Sequence, residues 1–320
     1  MIDTLSIPTI SDIKVAHEVI KPYSHRTPVL SSAKVDTRTG ASVFFKCENF
    51  QKVGAFKFRG ACNAVLTLSA SDAAQGVATH SSGNHAQALA LAAKIRGIKA
   101  YVVMPENAPK VKVEAVRNYG AEITFCEASL DARESTLQKV VEQTGAATIH
   151  PYNDSRIVAG QGTAAIEFIE ECPDLDVIMA PIGGGGLLSG TALAVKSLNS
   201  NIEVIGTEPK EVDDAYRSFK EGKLLPAYNT NTIADGLRTS LGVLPFQIIK
   251  KHVDDILTVD EESIISAMRF IWERMNMIIE PSCAVPVAAL FNNPERFKGK
   301  KVGIIITGGN VDLDNLPWDN

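Results

Sequence analysis

In the stretch Gly54-Ala55-Phe56-Lys57-Phe58-Arg59-Gly60 a single lysine stands between two phenylalanines, with small residues on either side. Against aromatic, poorly hydrated surface a lysine is pushed towards its neutral amine, because desolvation penalises the charged form; that amine is the nucleophile Schiff-base chemistry needs. Alone the signal is weak, since a lysine at the start of an amphipathic helix commonly reaches into water. Three further clusters strengthen it: Ser81-Ser82-Gly83-Asn84-His85, Gly183-Gly184-Gly185-Gly186 and Thr307-Gly308-Gly309-Asn310. Each follows a short apolar run.

Behind these clusters the chain alternates strand and helix. Ile13, Ala16, Val19 and Ile20 predict a first helix, over Ile10–Ile20 and begun by Ser11, followed by an extended Pro28–Leu30 and a strand Val43–Cys47. Helical spacing of Phe58, Ala61, Ala64, Val65 and Leu68 puts Lys57 at a loop-to-helix junction. Next come strand Val77–Thr79, helix Asn84–Arg96, strand Tyr101–Met104, helix Pro109–Tyr119, strand Glu122–Cys126, helix Leu130–Gln143 and strand Ala147–His150, punctuated by Gly76, Gly97, Gly120 and Gly145. A second such run has helix Gly162–Glu171, strand Val177–Ala180, a helix from Leu187, strand Glu203–Gly206 and strand Val302–Ile306. The segment Lys220–Val253 is irregular, and Ser263–Met275 is a helix whose methionines and tryptophan belong to packing. Such alternation means parallel strands with helical crossovers. The expected fold is α/β, with two open twisted parallel-sheet domains. Residues 76–150 form a small domain inserted into a large one made of 1–75 and 151–320.

The 320 residues suffice for two domains of ordinary size. A formal net charge of -5 without a long block of one sign excludes a nucleic-acid or polybasic membrane surface. Residues 1–20 carry Asp3, Asp12, Lys14 and Glu18 and lack the pattern of a secretory signal, and no apolar run is long enough to span a bilayer. The expectation is a cytoplasmic protein. Cys47, Cys62, Cys126, Cys172 and Cys283 are scattered, odd in number and without metal-type pairs, so they read as buried reduced thiols.

In open α/β sheets ligands bind beyond the carboxyl ends of strands, where each glycine-bearing cluster falls. Gly183–Gly186 offers backbone N–H groups and a helix N-terminus to a phosphate, with no Cβ to hold the anion off. The spacing lacks the third glycine of a dinucleotide fingerprint, and no lysine follows Gly190 as in a P-loop. Together, Lys57 and the three turns resemble the serine racemase and serine/threonine dehydratase family of fold type II pyridoxal-phosphate enzymes. The resemblance covers nearly the full chain and extends to Phe50-Gln51-Lys52, Ala159-Gly160-Gln161-Gly162-Thr163, Ile233-Ala234-Asp235-Gly236 and Glu280-Pro281. Glu208-Pro209, Asp213-Asp214-Ala215-Tyr216 and Trp272-Glu273-Arg274-Met275 lean it towards the eukaryotic-type serine racemases.

What the resemblance implies can be assigned residue by residue. Lys57 would carry the cofactor and, once released, move the Cα proton on one face, with Phe56 beside the ring. Asn84 would bond the cofactor's phenolic oxygen, and Gly183, Gly184, Gly185 and Gly186 would hold its phosphate. Ser81, Ser82, Asn84 and His85 would receive the substrate carboxylate through hydroxyl and backbone donors, with Ser82 on the face opposite Lys57. Thr307 would face the ring nitrogen. A neutral hydroxyl there leaves that nitrogen largely unprotonated and disfavours transamination. Serine racemases are expected to have serine at this position, and some relatives serine at Ala55; Tyr152, where mammalian racemase has asparagine, is left unassigned. Glu208 and Asp214, with the Val212 carbonyl, resemble the family's divalent-cation site, suited to magnesium, calcium or manganese. Lys52, Gln87 and Tyr119 match an ATP site at a subunit interface, and with it a homodimer.

The expected activity is racemisation of L-serine together with β-elimination to pyruvate and ammonia, L-threonine being a companion substrate. The rivals are a dedicated ammonia-lyase for threonine, serine or 3-hydroxyaspartate and, outside enzymes, a ligand sensor on the same frame. One methyl or carboxylate separates the substrates, a difference set by side-chain placement.

Overall fold

The computed structural model describes residues 6–318 except 109. Residues 1–5 and the expected helix start at Pro109 lie outside the described residues. Among the described residues the ten strands are β1 (Val29–Ser31), β2 (Ser42–Cys47), β3 (Val77–His80), β4 (Ala100–Pro105), β5 (Glu122–Cys126), β6 (Ala147–Thr148), β7 (Val177–Pro181), β8 (Glu203–Pro209), β9 (Asp255–Val259) and β10 (Lys301–Ile306). They form two sheets, one of six strands ordered β1-β2-β10-β7-β8-β9 and one of four ordered β5-β4-β3-β6. All pairings are parallel except β1 with β2. The two parallel-sheet domains expected from βα alternation are present, with an antiparallel edge strand added to the larger sheet. β1 and β2 are separated by a helix of only seven residues, Ala33–Thr39, and lie side by side in opposite directions.

Parallel strands buried on both faces read as apolar runs. β7 and β10 fit that rule, with all five residues of Val177–Pro181 and the last five of Lys301–Ile306 buried. One face of the large sheet packs Val43, Met179, Ile205 and Ile304 against Ala267, Ile271 and Ala284. The other packs Ile178, Val204 and Ile305 against Ile13, Val158, Phe168 and Leu188. The small sheet is covered by the helix Asn84–Arg96 on one side, through Ala86, Ala90 and Val102, and on the other by Leu137 and Val140 of the helix Leu130–Thr144.

Local chemistry moves several boundaries. The first helix runs over Ile10–Ile20, but its cap is Thr9 and not Ser11: the Thr9 hydroxyl accepts from the Asp12 N–H, and the Asp12 carboxylate accepts from the Thr9 N–H at 2.7 Å. The helix expected from Gly162 begins at Ser155, where the Asp154 carboxylate caps it. A helix Val243–His252 lies inside the segment read as irregular. The helices Lys57–Leu66 and Asn84–Arg96 start where the pattern put them, so Lys57 and Asn84 each open a helix.

Candidate active site

The site lies where four strand ends meet. β3 delivers Ser81–Asn84, β6 leads into His150–Asn153, β7 into Gly183–Gly186 and β10 into Thr307–Asn310. All sit at carboxyl ends of strands, as open α/β sheets require.

Lys57 is partly buried, and its Nζ donates to the Pro151 carbonyl at 3.0 Å. Burial lowers its pKa from 10.5 to about 8, and the charge of Glu280 pulls the other way. The Phe56 ring lies 5.2 Å from the Nζ. What aims the lysine is a charge cluster on the first turn of its helix. Arg59 is fully buried, donating to Glu48 from Nε at 2.7 Å and to Glu167 from Nη1 at 2.8 Å. Lys46, likewise buried, reaches Glu167 at 2.9 Å and the Thr27 carbonyl at 2.7 Å. Four charges of balanced sign and dense hydrogen bonding make such burial tolerable. The peptide of Phe56 is fixed by its N–H donating to the Thr307 carbonyl at 2.9 Å.

A hydrogen-bond chain joins residues far apart in sequence. Asn84 Nδ2 donates to both oxygens of Glu280 at 3.1 Å, Asn310 Nδ2 donates to Asn84 Oδ1 at 2.9 Å and to the Val53 carbonyl at 2.7 Å, and the Asn310 N–H donates to Glu280. These partners fix the Asn84 amide and leave a second Nδ2 hydrogen free for a ligand oxygen. Glu280 is buried beneath Gly308, where a Cβ would stand 2.8 Å from the carboxyl carbon, so only glycine permits the approach. Desolvation, with Asp235 adding its charge, raises Glu280 to about 7. Asp235 in turn pairs with Lys112 of the small domain at 2.6 Å.

The Ser81–Asn84 turn places an N-terminus at the site. Among the described residues the N–H groups of Asn84, His85 and Ala86 donate to no protein acceptor. The His85 ring faces away, since its Nε2 meets the Ile149 carbonyl at 3.3 Å and must carry the hydrogen there. Burial, then the charge of Lys57, depresses its pKa, so the ring is neutral and offers a carboxylate nothing. His85 can contribute its backbone N–H.

The N–H groups from Gly183 to Leu188 likewise donate to no protein acceptor among the described residues, at the start of the helix Gly186–Leu198. This array suits a phosphate. The glycines are needed for a different reason than anion access. A Cβ on Gly184 would stand 2.2 Å from the Tyr152 ring, and one on Gly185 2.6 Å from Leu241. Protein packs the Cβ side of the turn. Tyr152, unassigned from sequence, thus lies across it, its hydroxyl 2.9 Å from Thr239 and its ring edge-on to His150 at 4.6 Å. Thr307 is buried, with Oγ1 3.1 Å from the Cys283 sulfur.

The chain matches the family model described as pyridoxal-phosphate dependent enzyme over residues 20–308. It belongs to that family. The arrangement around Lys57 fits the cofactor independently: a desolvated amine, a phosphate-ready row of N–H groups and a spare amide donor on Asn84. The chain is 52% identical to the β-hydroxyaspartate dehydratase of Paracoccus denitrificans, covering 98% of this chain and 99% of that protein. It is also 52% identical to the serine racemase of Arabidopsis thaliana, over 97% of this chain and 95% of that one. The crystal structure of serine racemase from Dictyostelium discoideum superposes with a TM-score of 0.91 at 50% identity, covering 95% of this chain and 99% of that chain.

Away from this centre, Glu208 and Asp214 are both buried. Glu208 accepts from the N–H groups of Ala215 and Tyr216 at 3.1 and 2.9 Å, and Asp214 Oδ2 from that of Leu241 at 2.7 Å. Asp214 Oδ1 is buried without a partner. Desolvation, with the charge of Asp214 second, drives Glu208 well up, and burial raises Asp214 to about 6. Val212 is buried in the turn between them. Among the described residues no three His, Cys, Asp or Glu side chains cluster as metal ligands, so any ion here needs carbonyls or waters as well. Of the other expected ligands, Gln87 is buried on the helix Asn84–Arg96, Lys52 is half-buried with its Nζ 5.7 Å from the Phe58 ring, and Tyr119 packs beside Ala86 and Val102. No helix among the described residues is long and apolar enough to cross a membrane.

Sequence reading missed Glu280 as a working group, along with Asn310, Pro151 and Tyr152. Glu280 and Asn310 stood within recognised motifs, but nothing local says that residues 84, 280 and 310 meet. Pro151 acts through its carbonyl, which no side-chain pattern reveals.

Proposed function

We propose that this chain is a serine racemase that also eliminates water from L-serine and L-threonine, giving D-serine or a 2-oxo acid plus ammonia. The observation that carries this reading is the Lys57 amine, held near neutrality at about 8 against the Pro151 carbonyl within a site that offers free N–H groups on both flanks. Bound pyridoxal phosphate supplies the sink for the electrons of the Cα–H bond. Lys57 takes the Cα proton on one face, a task matched to an amine whose pKa lies close to the working pH. Ser82 holds the proton for the other face. The N–H groups of Asn84 and His85 and the hydroxyl of Ser81 hold the substrate carboxylate, the amides of Gly183–Gly186 the cofactor's phosphate, and Asn84 its phenolic oxygen. Thr307 gives the ring nitrogen a neutral partner. Glu208, Asp214 and the Val212 carbonyl bind a divalent cation, for which the unpartnered Asp214 oxygen speaks. ATP at Lys52, Gln87 and Tyr119, and a homodimer, complete the proposal.

A second reading, an ammonia-lyase for 3-hydroxyaspartate, is supported by the dehydratase from Paracoccus, as similar to this chain as the plant racemase. Incubation with L-serine, L-threonine or 3-hydroxyaspartate, followed by chiral and 2-oxo-acid analysis, separates the two. D-Serine in quantity supports the racemase. Oxaloacetate from 3-hydroxyaspartate with no D-serine from L-serine replaces it with the second reading.

A further inference from the structure

His150 follows β6 and adjoins Pro151, whose carbonyl accepts from Lys57. Its ring is edge-on to rings from both flanks of the site. Tyr152, which packs against the Gly183–Gly186 turn, lies at 4.6 Å, and His80, the residue before Ser81, at 6.3 Å. The backbone settles which nitrogen of His150 carries hydrogen. Nδ1 accepts from the Asn153 N–H at 2.9 Å and from the Tyr152 N–H at 3.3 Å. A backbone N–H can only donate, so Nδ1 is bare, which excludes both the imidazolium and the Nδ1–H tautomer. The ring is neutral, with its one hydrogen on Nε2. Burial, then the charges of His80 and Lys57, push its pKa down to about 4, in keeping with that state. The Nε2–H meets no protein acceptor among the described residues, yet it is not sealed in. Buried polar atoms without a partner include Nδ1 of His80 and Nδ1 of His85, but neither nitrogen of His150.

The donors already described are read to serve the anionic oxygens: the N–H groups after Ser81 the substrate carboxylate, the four glycines the phosphate, and Asn84 the phenolic oxygen. A β-hydroxy amino acid has one more oxygen, on Cβ, and that oxygen is neutral. A neutral donor suits it, since a hydrogen bond there fixes the direction of the Cβ–O bond without the cost of burying another cation. We propose that His150 is a specificity-determining residue whose Nε2–H donates to the β-hydroxyl oxygen of the substrate. The interaction is a hydrogen bond, and no proton leaves the ring. An amino acid without a β-oxygen leaves this donor unpaired under the bound ligand and is disfavoured for that reason. This deepens the proposed function and rests on the reading that the site takes a β-hydroxy amino acid; it holds alike for serine, threonine and 3-hydroxyaspartate.

The test measures kcat/KM of the holoenzyme for elimination from two substrates. One is whichever of L-serine, L-threonine and 3-hydroxyaspartate the parent turns over fastest; the other is β-chloro-L-alanine, in which chloride leaves in place of the oxygen. Their ratio is the readout, so a variant that loses part of its folded protein is still informative. His150→Asn keeps an acceptor for the Tyr152 and Asn153 N–H groups, but its amide donor falls short of the Nε2 position. His150→Gln places an amide donor near that position. Loss of one neutral hydrogen bond predicts a ratio about threefold to tenfold below the parent's for His150→Asn. His150→Gln should return it most of the way. An unchanged ratio in His150→Asn, with both substrates slowed equally, overturns the proposal, because the ring would then act only on the shape of the turn. A ratio as low in His150→Gln as in His150→Asn overturns it as well. A parent that eliminates chloride from β-chloro-L-alanine but acts on none of the three hydroxy substrates overturns the reading of the site, and the role of His150 with it.

Discussion

The ionisation of Lys57 gives the sharpest test of the site. A solvent-exposed lysine titrates near 10.5, and burial brings this one to about 8, a difference worth about 3 kcal/mol at 1.36 kcal/mol per unit. At pH 7 about a tenth of the apoprotein then carries the neutral amine, and above pH 9 nearly all of it does. Mixing apoprotein with pyridoxal phosphate and following the bound cofactor's absorbance gives a capture rate proportional to that fraction. The rate should rise about tenfold per pH unit below the midpoint and level off above it. Glu280→Gln removes the one charge that favours the ammonium, so its midpoint should fall below that of the parent. Comparing the two proteins cancels the cofactor's own ionisations. A rate still climbing tenfold per unit between pH 9 and 10 would show Lys57 to be an ordinary solvated lysine. A Glu280→Gln midpoint above the parent's would refute the electrostatic account of the pair.

Four other outcomes follow from the geometry. Ser82→Ala should abolish formation of D-serine while sparing part of the pyruvate yield, measured by chiral chromatography and a 2-oxo-acid assay on the same samples. Gly184→Ala should lower stability in denaturant by about 1–3 kcal/mol through overpacking against Tyr152, and Tyr152→Ala in the same chain should recover much of the loss. Arg59→Met should cost about 3–5 kcal/mol, because it leaves Glu48 and Glu167 buried without their shared cation. Magnesium should raise the thermal midpoint of the parent, with the gain growing with concentration, and Glu208→Gln should remove that gain.

The site was legible in the sequence wherever one turn of chain carries its own chemistry. Lys57 between aromatics, the Ser81–His85 turn and the four glycines each declare a strand end or a helix start; the structure puts the two turns at carboxyl ends of strands and Lys57 at the start of the helix Lys57–Leu66. The helix Pro281–Asn292 shows why other parts were hidden. Its run Cys283–Leu290 is buried throughout, so no polar face marks a period, and Pro286 inside it is an ordinary helix-breaking signal. The helix Val243–His252 carries Pro245 in its first turn, where the missing N–H costs nothing, but where the residue also resembles loop punctuation. What no local pattern could supply was the reason for particular glycines. Gly308 looked like part of a ligand turn, yet its hydrogen is where the Glu280 carboxyl must pass on its way to Asn84. Gly184 likewise makes room for the Tyr152 ring, whose segment also presents the Pro151 carbonyl to Lys57. A substitution at either glycine therefore acts on the candidate site through neighbouring protein, so its first effect should be on where Asn84 or Lys57 stands and only afterwards on what the turn can bind.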